Sequence, residues 1–172
     1  MIQVGQINTR HCELAWTILG RIAIERGLDM ICIQEPPPSV VGTGRIWFGY
    51  RILKPSGNPL VAIAVRTSMV VESRDFCSER VFGIIVHSQQ GPIMGISAYI
   101  QHTSGIGCHD LQQALHLSRE YQFSFVALDS NGHSALWGPA GQMGNRVGEM
   151  VDGVLGSADL NVLNQPGSPA TF

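Results

Sequence analysis

The first third of the chain changes its hydrophobic periodicity twice. Residues 2–7 alternate apolar and polar side chains, which is typical of a short strand. Residues 13–26 place apolar side chains three or four positions apart, which predicts a helix, and Gly27 stands where a C-cap glycine is expected. Residues 29–34 are almost uninterruptedly apolar, which predicts a strand buried on both faces. The prolines at 36–38 predict a loop after it.

The rest of the chain predicts a run of strands and then an alternation of helices and strands. Five β-rich segments are separated by Gly, Pro, Asn and Ser; they are residues 46–53, 60–66, 70–76, 80–86 and 93–100. Their short connections favour antiparallel hairpins. The last elements are a helix at 110–121, a strand at 123–128, a helix at 145–155 and a short strand at 160–163.

This order of elements favours the α/β class. The architecture that covers every apolar face is a four-layered sandwich, in which two mixed, mainly antiparallel sheets pack face to face with helices outside. We find no internal repeat and no linker in the sequence, so we expect one domain over residues 1–172.

Composition narrows the protein class. Hydrophobic residues make up 44% of the chain and charged residues 14%, which excludes a disordered tail or a charged coiled coil. We expect an intracellular protein without a membrane span, because no apolar run is long enough to cross a bilayer and no signal peptide is recognisable. The four cysteines are far apart, so we expect free thiols rather than a zinc site.

Charge argues against tight stand-alone binding to nucleic acid. The formal net charge is −2 and Lys54 is the only lysine, whereas a DNA partner favours a basic face. A local basic face would require the fold to gather several of the arginines at positions 10, 45, 51, 66 and 146.

Three of the predicted strands end in polar residues of one chemical kind. These ends are Asn8, Glu35 after Gln34, and Asp129 with Asn131. Taken singly, each has an ordinary structural interpretation as a turn residue or a solvated loop acid. Taken together, a few carboxylates and amides at the ends of buried strands suit a hard cation such as Mg²⁺, which takes one or two protein carboxylates and retains several waters.

The motif order resembles that of a known family. Asn8, the sequence Gln-Glu-Pro at 34–36, Tyr99 at a strand end, and Asp129-x-Asn131 form the motif series of the exonuclease-endonuclease-phosphatase family. A closer resemblance is to the apurinic/apyrimidinic endonuclease-like domains of non-LTR (LINE-type) retrotransposons. It rests on Leu-Asp-Ser-Asn-Gly-His-Ser at 128–134, Leu-Trp-Gly at 136–138, Val-Leu-Asn at 162–164 and Thr-Phe at 171–172.

The resemblance implies a role for each matched residue. Glu35, with Asn8 nearby, would hold Mg²⁺, with Mn²⁺ as an alternative. Asp129 and Asn131 would orient the nucleophile and the scissile phosphate, and Tyr99 would donate a hydrogen bond to that phosphate.

Three further residues are predicted on the substrate side. Arg10 is a candidate phosphate contact, Asn145 is a weaker match to an asparagine of the family, and His133 is expected to support the site structurally rather than to catalyse.

The activity that the resemblance implies is Mg²⁺-dependent nicking of double-stranded target DNA. The nick would leave a 3′ hydroxyl that primes reverse transcription, so the implied partners are the reverse transcriptase region of the same polyprotein and the element RNA, in the nucleus. Two readings stay open beside it. One is a phosphoesterase of the same fold that acts on a small phosphorylated substrate, and the other is a degenerate, non-catalytic DNA-binding module.

The sequence departs from the family pattern in three places. Leu128 stands where the family usually has glycine, and Ile-Gln-His at 100–102 stands where prolines often follow the tyrosine. The Asp-bearing strand and the Ser-Asp-His motif that follow Thr-Phe in the family are not among these residues. We therefore expect the domain to lack its C-terminal strands, the second sheet to have an unpaired edge, and the 172 residues alone to be weak or inactive.

Overall fold

A computed structural model describes residues 2–41, 47–138, 141, 143–158 and 160–163, and it describes their side chains except those of residues 41 and 73–77. These residues form two four-stranded sheets, with helices packed on the outer faces. The predicted α/β sandwich is confirmed. No helix in these ranges is both long enough and apolar enough to cross a membrane.

The first sheet contains the N-terminal half of the chain. Its strands, in spatial order, are β1 (Val4–Asn8), β2 (Met30–Gln34), β4 (Val61–Arg66) and β3 (Tyr50–Leu53). β1 and β2 are parallel, because helix α1 (Glu13–Glu25) carries the chain back along the sheet between them. The helix buries Trp16, Leu19 and Ala23 against the outer face of this sheet.

The second sheet contains the C-terminal half. Its strands, in spatial order, are β5 (Val71–Cys77), β6 (Val81–Ser88), β7 (Gly91–Tyr99) and β8 (Phe123–Asp129). The first three are antiparallel, as the short connections predicted. β8 runs parallel to β7, since helix α3 (Cys108–Ser118) connects them. Helix α4 (Arg146–Gly156) packs beside α3 in the same outer layer.

The central layer lies between the two sheets and is almost entirely apolar. Met30, Cys32 and Ile63 of the first sheet face Ile84 and Val86 of the second, and all five are fully buried. This explains the unbroken apolar run in β2, which contacts α1 on one face and the second sheet on the other. Cys32 is a free thiol, as predicted, and burial raises its pKa to about 12.

One polar group crosses this interior and ties the sheets together. Gln34, at the end of β2, is fully buried, and its Nε2 donates to Ser97 Oγ at 3.1 Å and to the Ala127 carbonyl at 3.3 Å. Its Oε1 has no hydrogen-bond partner among the described residues. These two hydrogen bonds fix the end of β2 against β7 and β8, so the ends of these strands lie at one edge of the sandwich.

The structure differs from the predicted elements after β2, at the start of β3 and at residues 160–163. Pro38 begins a short helix, α2 (Pro38–Val41), in the predicted loop, because proline fits the first helical position. The strand predicted at 46–53 forms only from Tyr50, since Phe48 and Gly49 have positive φ and make a turn; residue 46 lies outside the described ranges.

The strand predicted at 160–163 is wrong. These residues form no strand, and Leu163 is 90% exposed, while Leu160 packs as a single side chain against the α3 and α4 cluster. No strand among the described residues pairs with them. Within the described residues β8 pairs with β7 alone.

Candidate functional site

Asn8 links two carboxylates that are far apart in sequence. Its Nδ2 donates to Glu35 Oε2 at 2.7 Å and to Asp129 Oδ2 at 2.6 Å. Its Oδ1 accepts from the Arg10 backbone N–H at 2.7 Å, which fixes the direction of the amide. Asn8 therefore presents its nitrogen to the acids, and in this arrangement it orients them rather than offering an oxygen to a cation.

The backbone around the site is held in uncommon conformations. Arg10, His11, Glu35 and Asn131 all have positive φ, between 47° and 55°. Outside glycine this conformation is infrequent, and it persists where surrounding contacts hold it. Here those contacts continue the pairing of β1 and β2 into the loops, because Thr9 donates to the carbonyls of Gln34 and Glu35.

His11 lies against the Glu35 loop, a position that no motif in the sequence indicates. Its backbone N–H donates to the Glu35 carbonyl at 2.8 Å, and its ring Nδ1 lies 3.0 Å from the Pro36 carbonyl. Its Nε2 is 3.8 Å from Glu35 Oε1. His11 is therefore part of the wall of the site.

Asn131 is fixed by both its backbone and its amide. Its backbone N–H donates to Asp129 Oδ1 at 3.2 Å, and its Nδ2 donates to the Ile100 carbonyl at 3.1 Å. The second contact ties the loop after β8 to the end of β7. With its nitrogen engaged, the amide has its oxygen left for a substrate or a water.

Tyr99 ends β7 directly beside Asp129, its partner in register. Burial, the nearby charges of Glu35 and Asp129, and an interaction of the hydroxyl with the Glu35 carboxylate raise the pKa of Tyr99, while the Asn131 side chain acts in the opposite direction. The hydroxyl therefore stays protonated at neutral pH and can donate, here to the Glu35 carboxylate.

We expect Glu35→Gln to lower the pKa of Tyr99, because it removes a charge and a carboxylate that oppose the phenolate. The measurement is an alkaline absorbance titration near 295 nm, with Tyr99→Phe identifying the signal of this tyrosine. A folded-state pKa above the ordinary 10.0 means that the unfolded chain ionises first, so the contribution of Tyr99 to stability is constant below pH 10 and is lost as the pH rises further. An unchanged titration midpoint in Glu35→Gln contradicts the coupling.

The loop after Asn131 is held on α4. Asn145 caps this helix, and its Oδ1 accepts from the backbone N–H groups of Gly148 at 2.8 Å and of His133 at 3.0 Å. Asp152 accepts from Ser134 Oγ and from Trp137 Nε1, each at 2.7 Å. Asn145 and the backbone of His133 thus belong to a support for the loop, and their predicted contact with substrate stays a prediction.

The loop and the helix approach each other through two glycines. A Cβ on Gly148 would lie 1.8 Å from the His133 carbonyl oxygen, and one on Gly132 would lie 2.8 Å from the Gly148 nitrogen. Backbone therefore packs on backbone at this point, directly after Asn131.

Of the arginines at positions 10, 45, 51, 66 and 146, the four that the structure describes are not gathered into one basic face. Arg51 donates to the Met69 carbonyl, and Arg66 lies with Leu28 and Asp29 at the far end of β2. Arg45 lies outside the described residues, while Arg10 is exposed beside Asn8 and Arg146 begins α4.

Sequence analysis missed Arg80, which lies at the edge of the site. Its carbonyl accepts from the Tyr99 N–H, and its buried Nε has no hydrogen-bond partner among the described residues. The only indication in the sequence that Arg80 lies near a strand end is its position directly before β6.

The donor set suits a hard cation. Two carboxylates meet around a neutral amide, so a cation would offset their mutual repulsion, and Mg²⁺ takes only one or two protein carboxylates in such sites. Among the described residues, no group of three or more His, Cys, Asp or Glu side chains is arranged to hold a metal ion.

Comparisons with known proteins identify the fold. No protein-family model matches the sequence, and a search of curated proteins found no similar sequence. Among solved structures, the endonuclease domain of TRAS1, a telomere-specific non-LTR retrotransposon, is similar with a TM-score of 0.82 and 22% identity over 98% of this chain and 76% of that one.

Two less similar structures have the same core. A humanized TDP2 from D. rerio has a TM-score of 0.56 at 15% identity, over 78% of this chain and 64% of that one. A β-hairpin deletion mutant of beta toxin from Staphylococcus aureus has a TM-score of 0.57 at 9% identity, over 94% and 74%. The chain therefore has the fold of a retrotransposon endonuclease domain, as its motifs indicated.

Proposed function

We propose that this chain is a metal-dependent phosphodiesterase that nicks double-stranded DNA and leaves a 3′ hydroxyl. The observation that carries the proposal is the Asn8 amide bonded to both the Glu35 and the Asp129 carboxylates, at an edge where two sheets meet. In nucleases of this kind the protein itself takes part in few covalent steps. Positioned acids, a hydrogen-bond donor to the phosphate and a bound cation are therefore sufficient for the reaction.

Each residue has a role that follows from its contacts. Glu35 would hold the ion, which would polarise the phosphate and offset charge on the leaving oxygen. Asn8 keeps the two carboxylates in place. Asp129 accepts hydrogen bonds and is suited to orient the attacking water, while the Asn131 backbone N–H donates to it and holds the two residues together. Tyr99, protonated at neutral pH, donates to a phosphate oxygen as its negative charge grows.

The substrate class is proposed from the fold and from local chemistry together. The similar TRAS1 domain is described as an endonuclease of a retrotransposon, and a structure of D. rerio TDP2 contains a single-strand DNA product. In this chain the backbones of Arg10 and Arg80 contact Asn8 and Tyr99, so their side chains are the candidates to meet phosphates on either side of the cut, although Arg80 also lies 4.0 Å from the Glu79 carboxylate. Priming of reverse transcription, with the element RNA and reverse transcriptase as partners in the nucleus, is the context we infer.

The test is nicking of a supercoiled plasmid by the full-length natural protein in Mg²⁺, beside release of phosphate from a soluble phosphomonoester. We expect conversion to the open-circular form, ends that a DNA polymerase extends without treatment, and loss of both in excess chelator. Phosphomonoester release without nicking would favour the small-substrate phosphoesterase. DNA affinity without nicking, unchanged in Glu35→Ala, would favour the non-catalytic binding module.

A further inference from the structure

We propose that His11 is a second protein ligand of the cation, through Nε2, so that the site binds transition ions through one nitrogen and one carboxylate. The inference rests on the proposed function and names a residue that the motif pattern does not include. Its basis is the pair formed by His11 Nε2 and Glu35 Oε1, which face each other at 3.8 Å.

The contact at the other ring nitrogen sets the tautomer. A carbonyl oxygen only accepts, so the 3.0 Å contact of His11 Nδ1 with the Pro36 carbonyl requires a proton on Nδ1. In the neutral ring, Nε2 then carries a lone pair directed toward the Glu35 carboxylate. Metal-binding histidines use this arrangement, in which the second nitrogen donates to a backbone carbonyl and fixes the ring.

The distance between the two atoms suits a shared ion better than a direct hydrogen bond. At 3.8 Å, Nε2 and Oε1 are too far apart for a hydrogen bond. Neighbouring ligands of an octahedral ion with bonds of about 2.1 Å are about 3 Å apart. A small shift of the Glu35 carboxylate closes the remaining gap while the Pro36 carbonyl holds the ring, and the 47% and 22% exposure of the two side chains leaves room for water and phosphate at the other positions.

The backbone holds His11 in this place at some conformational cost. Its φ is 55°, and that of Arg10 is 48°, so the chain turns back through two left-handed residues. The N–H of His11 bonds to the Glu35 carbonyl, which attaches it to the same loop as the carboxylate. A surface histidine without a role needs no such anchoring.

A matched pair elsewhere in the molecule provides the control. His87 Nε2 lies 3.1 Å from Glu72 Oε1, at hydrogen-bonding distance, and Glu72 is more exposed than Glu35. This is the geometry of an ordinary surface ion pair, and it lies away from the Asn8 edge, at the end of β6. His87→Gln therefore removes an imidazole beside a carboxylate without touching the site.

The test is electron spin echo spectroscopy of Mn²⁺ bound to the protein, with Mn²⁺ and Mg²⁺ affinities measured by calorimetry. We expect ¹⁴N modulation from a coordinated imidazole in the wild type and in His87→Gln, and its loss in His11→Gln. The Kd for Mn²⁺ should rise about 10-fold or more in His11→Gln, and that for Mg²⁺ less, because Mg²⁺ prefers oxygen. Circular dichroism checks that each variant is folded.

Two results overturn the inference in distinguishable ways. If Mn²⁺ binds, is lost in Glu35→Gln, and shows no ¹⁴N modulation, His11 is only an ion-pair partner, and the proposed nuclease is untouched. If Mn²⁺ does not bind the folded protein at all, both this inference and the metal-dependent function fail.

Discussion

Asp129→Asn is expected to lower the rate of plasmid nicking by about 10²- to 10⁴-fold, the range for loss of a group that handles protons and orients the nucleophile. The substitution keeps the shape of the side chain and removes its charge. Asp129 accepts from the Asn8 amide through one oxygen and from the Asn131 backbone N–H through the other, so an amide with one acceptor oxygen loses one of these bonds. The repulsion between two carboxylates is lost as well and offsets this, so we expect the free energy of unfolding to change by no more than about 1 kcal/mol.

This combination separates catalysis from folding. The measurements are the initial nicking rate and urea denaturation of the same preparation. Glu72→Gln is the matched control, since Glu72 is an exposed acid paired with His87 away from the site, and it should leave both quantities unchanged. A nicking rate within a few-fold of wild type in Asp129→Asn would remove Asp129 from the mechanism.

Gly148→Ala is expected to lower the free energy of unfolding by about 2–3 kcal/mol, as overpacking against backbone does. The new methyl group would lie 1.8 Å from the His133 carbonyl oxygen, which is main chain and cannot rotate away. The loop must therefore move, and Asn131 lies two residues before His133. We expect nicking to fall as well, even though Gly148 contacts no group of the site directly.

Gly153→Ala provides the control on the same helix. A Cβ at Gly153 would have nothing within 4 Å, so alanine should raise the free energy of unfolding by up to about 1 kcal/mol through helix propensity. Urea denaturation of both variants is the measurement. Equal effects of the two substitutions would show that the glycine contact on the loop is unimportant.

The meeting of the Asn8, Glu35 and Asp129 side chains at one edge could be predicted because the polar residues stand at the ends of recognisable strands. Asn8, Glu35 and Asp129 each follow a segment whose apolar pattern is unambiguous, and parallel pairing brings the ends of such strands to one edge. The hydrogen bonds that join these side chains cannot be predicted from the sequence. That Asn8 turns its nitrogen to the acids follows from the Arg10 N–H, a contact that no spacing reveals.

The features that were not predicted from the sequence have a common physical cause. Each depends on contact with a part of the chain that is remote in sequence. Residues 160–163 alternate as a strand does, but strands form only beside another backbone. His11 lies beside Glu35 only because Arg10 and His11 adopt positive φ, a conformation that their residue types do not predict. The packing of the loop after Asn131 on α4 likewise depends on Gly132 and Gly148, whose role is visible only where the loop and the helix are in contact.

The bond from Gln34 to Ser97 makes the spacing of the acids a property of the whole sandwich. Glu35 belongs to one sheet and Asp129 to the other, so any slip of one layer over its neighbour changes the gap between them. Warming should accordingly abolish cutting before the protein melts, and substitutions deep between the layers, such as Ile84→Val, should shift the temperature of that inactivation although they lie far from the DNA.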